Sequence, residues 1–254
     1  MSSRPTAKPR RRKASAASRL RPFWILIAFV LIVAIAAGYF FATWPALRPH
    51  GVEVSGNRIV PASEIIAKAA VASNRNVWLQ NTHAMTARIE TIPYIDAAYV
   101  HRRLPATVTV GVTEREPFAI VNVGGSRVVV DRDMRVLQNA NGEEKQLPIF
   151  KLGNIAGSLQ PGTFLSDSVL HRMQSDDEML VGAHVTPDLL EFDKYGQLIA
   201  TLHSGVHLLL GDDEDLQKKI PLINPILTQL QHQGRPIEAI DLRAPTTPIV
   251  RYKK

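Results

Sequence analysis

Residues 89–121, IETIPYIDAAYVHRRLPATVTVGVTEREPFAIV, decide the fold. They contain two runs of strand-forming residues, 97–103 and 107–115, which are joined through Leu104-Pro105. Valines in the second run recur at every other position, which is the two-residue period of a half-buried β-strand. These valines are Val108, Val110 and Val112. We therefore predict two successive β-strands in this segment.

The chain on the amino-terminal side of this segment predicts one strand and two helices. A short alternating run at 52–54 ends in the turn Ser55-Gly56-Asn57. Apolar residues at helical spacing follow within 62–71, and Asn81 is a suitable cap for a second helix over 82–91. With the two strands above, the order is β-α-α-β-β, a compact α+β unit of the usual small-domain size.

The chain beyond Pro117 predicts a second, larger domain. Short strand patterns separated by glycine-containing turns indicate a mostly antiparallel sheet. Two helical patterns interrupt the strands, one over 165–181 and one over 216–230. The second contains Pro221 and Pro225, each of which should kink or split it. The fold class predicted for the whole chain is therefore α+β.

An apolar segment near the amino terminus, residues 23–44, reads FWILIAFVLIVAIAAGYFFATW. As an α-helix it would be ~33 Å long, enough to cross a hydrocarbon core of ~30 Å. Aromatic residues stand near both ends, where bilayer interfaces favour them, and we predict Trp24, Tyr39 and Trp44 as membrane anchors. The A-x-A-like Ala34-Ile35-Ala36 leaves a cleaved signal peptide as the alternative to a single-pass anchor in the lipid bilayer.

The positive charge of the chain is concentrated in residues 1–22, which hold eight of its 30 Lys and Arg residues and no acidic residue. The other 22 are balanced by 23 Asp and Glu, so the folded part is not basic and no nucleic-acid partner is indicated. Ser, Ala, Pro and Arg build no core, so 1–22 is predicted to be a disordered tail. The positive-inside rule places this tail in the cytoplasm and both domains on the other side of the membrane.

No pattern in the sequence indicates catalysis, a metal or a cofactor. The chain has no cysteine, and phosphate-binding loops and hydrolase motifs are absent from it. His203 and His207 have a metal-like spacing without a third ligand nearby. We interpret the acidic run 212–215 as charge at a helix start, and 176–178 as a solvated helix face. The prediction is a binding protein without a small-molecule substrate, with an extracytoplasmic enzyme whose site comes from scattered residues as an alternative.

The last strand pattern, Pro248–Tyr252, predicts a sheet edge because it is short and last in the sequence. The unpaired N–H and C=O groups of an edge strand can bind an extended partner, which is β-augmentation. The alternative is that Pro248 and the basic residues Arg251, Lys253 and Lys254 only guard this edge against aggregation.

Several motifs together resemble the FtsQ/DivIB family of cell division proteins. They are Val54-x-Gly56-Asn57, the run from Pro93 through Ala98-x-Val100 to Arg103-x-Pro105, Val112-x-Glu114-Arg115-x-Pro117, Gly205-Val206 with Leu210-Gly211, and Asp241-Leu242-Arg243. The resemblance implies four parts: a cytoplasmic tail at 1–22, a transmembrane helix at 23–44, a POTRA domain at 48–116 and an FtsQ/DivIB-type β domain at 117–254.

The sequence departs from the family pattern in three places. The turn Asp131–Met134 lacks the glycine usual in a D-x-x-G turn, so its type could differ. Pro221 and Pro225 lie inside the last helix, and Ala244 stands where relatives often carry an aromatic residue.

The resemblance also implies partners and a location. FtsB, which travels with FtsL, would dock on the last region by β-augmentation. Asp241, Leu242 and Arg243 would position the strand, while Ile249, Val250 and Tyr252 would offer side chains, with Tyr252 as the main anchor. The predicted FtsB site comprises Asp241, Leu242, Arg243, Pro248, Ile249, Val250, Arg251 and Tyr252. The protein would lie in the bacterial cytoplasmic (inner) membrane and concentrate at the division septum.

A second surface, on the POTRA domain, would contact other division proteins along a strand and helix edge. It is placed at Arg102, Arg103, Thr107, Val108, Thr109 and Val110. POTRA domains leave a further alternative open, namely a factor of secretion or outer-membrane assembly. Such proteins place POTRA units before a barrel of many strands, whereas fewer strands and two helices follow here.

Overall fold

In the computed structural model of the protein, residues 16–144, 146–155, 157–231 and 235–253 are described. The first element is helix α1, Ala16–Thr43. Its segment Phe23–Thr43 has a mean hydropathy of 2.8 and none of it is buried by the rest of the protein. By length and composition, α1 is able to cross a membrane.

Both ends of α1 differ from the limits predicted for the transmembrane helix. Residues 16–22, which the sequence assigned to a disordered tail, extend the helix because Ala, Arg and Leu favour helical backbone. Trp44, assigned to the helix, is extended (φ −61°, ψ 119°) and precedes the 3₁₀ turn Pro45–Leu47, because a residue before proline avoids the helical region. Residues 1–15 of the predicted tail lie outside the described residues.

The small domain contains strand β1 (Gly51–Ser55), helices α2 (Ala62–Ala69) and α3 (Thr82–Ile89), and strands β2 (Ile95–Arg103) and β3 (Thr107–Glu114). The predicted β-α-α-β-β order is confirmed. The strands form a sheet in the order β1-β3-β2, in which β1 runs parallel to β3 and β2 antiparallel to it. Because β3 is the central strand, its backbone is paired on both sides.

The core of the small domain lies between this sheet and its two helices. Ile65 of α2 and Ile89 of α3 are fully buried against the inward valines of β3, Val108 and Val110. This arrangement follows from the sequence because the apolar face of each helix and the alternate residues of β3 have no other place to be buried.

The large domain contains nine strands and two helices among the described residues. In chain order they are β4 (Ala119–Val123), β5 (Ser126–Val130), β6 (Val136–Asn139), β7 (Ile149–Leu152), α4 (Ser168–Gly182), β8 (Pro187–Phe192), β9 (Leu198–Leu202), β10 (His207–Gly211), α5 (Leu216–Gln231), β11 (Ile237–Asp241) and β12 (Ile249–Tyr252).

These strands form one sheet in the order β12-β11-β10-β9-β8-β7-β4-β5-β6. Most neighbours are antiparallel, as predicted, while β10 with β11, β4 with β7 and β7 with β8 are parallel. Val121, Phe150, Leu190, Ala200 and Leu208 lie in register on one face and form a single buried cluster with α4 and α5. Both helices therefore cover the same face of the sheet.

The sequence predicted that Pro221 and Pro225 would each kink or split the last helix. Helix α5 is one continuous element from Leu216 to Gln231 that includes both prolines, so they do not split it. Both prolines are on the exposed side of α5, where water can bond the carbonyls that the prolines leave without a helical partner. On the opposite side, Ile220 and Ile223 pack into the buried cluster. Burial of this apolar side stabilises α5 despite the lost backbone hydrogen bonds.

The turn between β5 and β6 keeps a left-handed residue although it has no glycine. Met134 has φ 59°, and its side chain is fully buried in the core of the large domain. The Asp131 carboxylate accepts a hydrogen bond from the Arg135 backbone N–H at 2.8 Å and holds the turn. Burial of the Met134 side chain therefore offsets the strain of a backbone conformation that favours glycine.

Candidate functional site

The candidate binding edge is strand β12 together with its neighbour β11. In the described chain β12 ends the strand order and pairs only with β11, so the predicted edge position is confirmed. The pairing is antiparallel, with Asp241 opposite Ile249 and Ile240 opposite Val250. The outer side of β12 is thus a sheet edge that no described strand covers.

The two faces of β12 differ in burial. Val250 and Tyr252 point towards the helices and pack, partly buried, against the core of the large domain. Ile249 and Arg251 point to the other face, and Ile249 is 59% exposed. Ile249 is therefore a more accessible apolar side chain than Tyr252, which the sequence had made the main anchor.

The direction of the backbone groups of β12 follows from one hydrogen bond. The Lys253 N–H donates to the Pro236 carbonyl at 2.9 Å, so the backbone of residue 253 points towards β11. Successive residues of a strand point their N–H and C=O groups to alternate sides. The Val250 N–H and C=O consequently point to the open side, where an added strand would bond them.

Asp241, Leu242 and Arg243 support the edge from within. The Arg243 guanidinium donates two hydrogen bonds to the Asp241 carboxylate, at 2.9 and 2.6 Å, and thereby lowers the pKa of Asp241 although burial opposes this. The Leu242 N–H bonds the Leu209 carbonyl of β10 at 2.9 Å. Gly211 is required beside them, because it has φ +70° and a Cβ there would lie 2.9 Å from Arg243 Cγ.

The structure corrects one residue of the predicted FtsB site. The Leu242 side chain is fully buried in the core, so it is unable to contact a partner. Arg243 is exposed, and Asp241 is mostly buried and paired with it. Pro248 and Arg251 are exposed beside Ile249. The surface that a partner can reach therefore comprises Arg243, Pro248, Ile249, Arg251 and part of Tyr252.

Tyr252 also has a cationic neighbour. The Arg235 guanidinium lies 4.0 Å from the centroid of the Tyr252 ring, at a distance typical of a cation–π contact. Arg235, Arg243, Arg251 and Lys253 together place positive charge around the edge. An extended partner with apolar and acidic residues would be complementary to this surface.

The surface predicted on the small domain is not a sheet edge along its whole length. Thr107–Val110 belong to the central strand β3, and the side chains of Val108 and Val110 are buried, so this part of the prediction is wrong. Arg102 and Arg103 lie at the end of β2, which is an edge strand. Arg102 donates to the Gln80 carbonyl, and Arg103 is 3.7 Å from the Glu53 carboxylate.

The junction between the domains centres on Arg115. Its guanidinium is within 2.6 Å of both Asp96 in the small domain and Asp131 in the large domain, and 3.0 Å from Asp133. Burial alone would lower the pKa of Arg115, but the hydrogen bonds with Asp131 and Asp133 raise it. Arg115 thus joins the two domains through a largely buried pair with Asp131 and through the more exposed Asp96 and Asp133.

Glu114, the residue before Arg115, holds the small domain together. Its carboxylate accepts hydrogen bonds from the backbone N–H groups of Arg58, Ile59 and Val60 at 2.8–2.9 Å. Although burial opposes the shift, these donors lower the pKa of Glu114. Gly56 begins the same loop with φ +88°, and a Cβ there would lie 2.1 Å from the Val112 carbonyl oxygen.

The predicted chemistry candidates have ordinary partners. His203 Nδ1 lies 3.0 Å from Asp188, and His207 Nδ1 lies 3.0 Å from the Thr201 hydroxyl. Asp213 forms two hydrogen bonds with Arg172, both at 2.7 Å. Within the described residues, no group of three His, Cys, Asp or Glu side chains has an arrangement that could hold a metal ion.

Helix α4 departs from its predicted solvated face at two of the three residues, while Glu178 is exposed as predicted. Asp176 and Asp177 are only 3% and 4% exposed, and each has a buried carboxylate oxygen without a hydrogen-bond partner in the described chain. Burial raises the pKa of Asp176 to about 7 and that of Asp177 to about 6. The signal was available, since Leu170, Met173, Asp177 and Leu180 are spaced by three and four residues on one stripe.

The fold and the edge together define a class of protein: a single apolar helix, a POTRA-type domain and a β domain with an open edge strand. Comparison of the sequence with models of known protein families gives the same class. The model for the POTRA domain, FtsQ-type, matches residues 47–115, and that for the cell division protein FtsQ/DivIB C-terminal domain matches residues 119–243. The chain belongs to the FtsQ/DivIB family of cell division proteins, and its apolar helix fits a membrane-anchored member.

Curated relatives support this assignment. The cell division protein FtsQ of Mycolicibacterium smegmatis is 27% identical over 225 residues, which cover 88% of this chain and 63% of that protein. FtsQ of a Geobacter species is 25% identical over 222 residues, covering 82% of this chain and 81% of the relative. The cell division protein DivIB of Clostridium tetani is 22% identical over 70% of this chain and 69% of the relative. The division interpretation is therefore favoured over the secretion alternative.

Proposed function

We propose that this protein is a non-catalytic scaffold of the division machinery that binds FtsB, together with FtsL, by strand addition to β12. It would join early cytoplasmic division proteins to septal wall synthesis while anchored in the cytoplasmic membrane. In this proposal residues 1–22 lie in the cytoplasm, both domains lie outside, and the protein concentrates at the septum.

The observation that carries the proposal is the open side of β12. The Val250 N–H and C=O point there, and the apolar Ile249 is exposed beside them. A strand that pairs with β12 would satisfy these groups and cover Ile249. The alternative, a guarded edge, is supported by Pro248 and the neighbouring basic residues, which are common at edges that avoid pairing.

The test compares two variants, each of which adds one negative charge to one of the two edge strands of the large sheet. Ile249→Asp places a carboxylate on β12, and Asn139→Asp places the same carboxylate on β6, the strand at the opposite edge. The full chain in lipid nanodiscs is titrated with the extracytoplasmic segment of FtsB from the same organism, with and without FtsL. We expect Ile249→Asp to weaken FtsB binding by at least about tenfold, because it adds an unpaired charge to the interface, and Asn139→Asp to leave it unchanged.

Two further variants separate the backbone from the side chains. Val250→Pro removes the outward N–H, and Tyr252→Ala removes the aromatic ring but keeps the backbone. Strand addition predicts a large loss for Val250→Pro and a smaller one for Tyr252→Ala. Equal binding by Ile249→Asp, Val250→Pro and the wild type would move the FtsB site away from β12.

A further inference from the structure

A cavity lies where the membrane helix meets the small domain. It has a volume of about 620 Å³ and is bounded by Ala42 and Thr43 of α1 on one side and by the loop between α2 and α3 on the other. The Asn76 side-chain amide donates to the Phe41 carbonyl at 2.7 Å and holds the two sides together. The cavity is large enough for a small polar headgroup.

The lining of this cavity is strongly positive. Among its described lining residues, Arg48, Arg75 and Arg88 carry positive charge and none is Asp or Glu. Within the described chain, neither the Arg48 nor the Arg75 side chain has a hydrogen bond or an ion pair. Arg88 is anchored, since its guanidinium donates to the Ala69 carbonyl at 2.6 Å. Three like charges around one cavity repel each other, and an anion would relieve that repulsion.

The position of the cavity relative to the membrane indicates which anion it meets. Phe23–Thr43 is 21 residues long, or ~31 Å as a helix, about the thickness of the hydrocarbon core. Thr43 therefore lies at the bilayer surface, at the depth of lipid phosphates. Trp44 is exposed at this level, and Leu79, which lines the cavity, is 63% exposed. Such residues favour the boundary between headgroups and acyl chains.

We propose that this cavity binds the headgroup of an anionic phospholipid from the leaflet that faces the two domains. Arg48 and Arg75 contact the phosphate, and Leu79 with Trp44 contacts the glycerol and the start of the acyl chains. The bound lipid fixes the small domain close to the membrane surface. This site is independent of β12 and requires only that α1 spans the bilayer.

The test uses the full chain in nanodiscs of phosphatidylcholine that contain a minor fraction of phosphatidylglycerol. Native mass spectrometry counts the lipids that stay bound after release from the nanodisc. We expect the wild type to retain phosphatidylglycerol in preference to phosphatidylcholine. The double variant Arg48→Gln/Arg75→Gln is expected to lose this retention about tenfold, because two charge-assisted contacts with phosphate are removed.

Two controls make the result specific. Arg127→Gln/Lys194→Gln removes the same charge from exposed positions of the large domain and should retain phosphatidylglycerol like the wild type. Arg48→Lys/Arg75→Lys keeps the charge and should retain more lipid than the glutamine variant. Thermal unfolding of each variant shows that it is folded.

Three outcomes would overturn the proposal. They are equal retention of the two lipids by the wild type, equal retention by the cavity and control variants, and displacement of the lipid by soluble glycerol phosphate at matched concentration. The last outcome would identify a site for soluble phosphate ligands instead of a membrane lipid.

Discussion

The junction between the two domains and the β12 edge use polar groups in opposite ways. At the junction, Arg115 contacts three carboxylates, and the Glu114 carboxylate accepts three backbone N–H groups. At the edge, the backbone of Val250 points to an open side and Ile249 is exposed. The junction therefore pairs most of its charged groups within the chain, although the buried Arg115 Nε has no partner among the described residues, while the edge leaves backbone groups open to a partner.

This difference explains where the family motifs of the sequence lie in the structure. Gly56, Glu114 and Arg115, which carry the family resemblance, all shape the small domain or its junction. In Asp241-Leu242-Arg243, Leu242 likewise packs inside the large domain and Asp241 is mostly buried, whereas Arg243 is exposed and pairs with Asp241. By contrast, the surface proposed to bind a partner is an ordinary short strand. Motifs of this chain therefore mark the frame that presents the edge, and substitutions in the two regions should have separable effects.

The largest effect on stability is expected for Gly56→Ala. The added Cβ would lie 2.1 Å from the Val112 carbonyl oxygen, and Gly56 has φ +88°, so the loop and β3 have to separate. We expect a loss of about 3 kcal/mol in the free energy of unfolding, from backbone strain and overpacking. Chemical unfolding of the full chain in detergent measures it. Gly51→Ala is the control, because a Cβ at Gly51 meets nothing within 4 Å.

The second largest effect on stability is expected for Arg115→Met. It should lower the free energy of unfolding by about 2–3 kcal/mol, because it leaves the buried Asp131 carboxylate without its charged partner. Arg132→Met is the matched control, since Arg132 pairs with Glu178 at the exposed surface and should cost less than about 1 kcal/mol. Arg115→Met should also uncouple the domains and give two unfolding transitions in calorimetry. Equal stability of the two variants would show that Arg115 does not join the domains.

The contrast between these arginines shows where sequence reasoning reached its limit. Alternating valines and helical stripes predicted the order of elements, because burial of one face follows from period alone. The motif around Arg115 was recognised, but its role depends on Asp96, Asp131 and Asp133, which meet only in the folded chain. Pairing of strands distant in sequence, such as β1 beside β3, is likewise set by packing of the whole domain.

Local patterns also misled at particular residues. Asp176 and Asp177 were interpreted as solvated because they are charged, although Asp177 lies on the apolar stripe of α4. Pro221 and Pro225 were expected to kink or split α5. They do not split it, and the contacts of the opposite face that stabilise the helix are not visible in a local pattern. At the candidate site, the edge strand itself was predicted, whereas the burial of Leu242 and the exposure of Ile249 required the register.

Asp176 is buried, as Arg115 at the junction largely is, yet one of its carboxylate oxygens has no hydrogen-bond partner in the described chain. Its pKa is raised to about 7 by burial and by Asp213, while Arg172 opposes the shift. Between about pH 4 and about pH 7 the unfolded carboxyl loses its proton and the folded one keeps it, so the free energy of unfolding falls as pH rises. Asp176→Asn should therefore be more stable than the wild type by about 1 kcal/mol at about pH 8, and similar near pH 4.

Thermal unfolding at several pH values checks this prediction. Glu238→Gln, which removes a carboxylate from an exposed position of β11, serves as the control and should leave the pH dependence unchanged. A pH dependence of Asp176→Asn equal to that of the wild type would mean that the Asp176 carboxylate is ionised in the folded protein.

The smallest effect on stability is expected for Ile249→Asp. This variant tests the difference between the junction and the β12 edge by changing the edge alone. Ile249 is 59% exposed and does not belong to the core cluster, so its loss should change the free energy of unfolding by less than about 0.5 kcal/mol. The same substitution is expected to cause the tenfold loss of FtsB binding, whereas Gly56→Ala below its unfolding transition should leave β12 and FtsB binding intact. A loss of binding in Gly56→Ala, or of stability in Ile249→Asp, would show that the junction and the edge are one coupled unit.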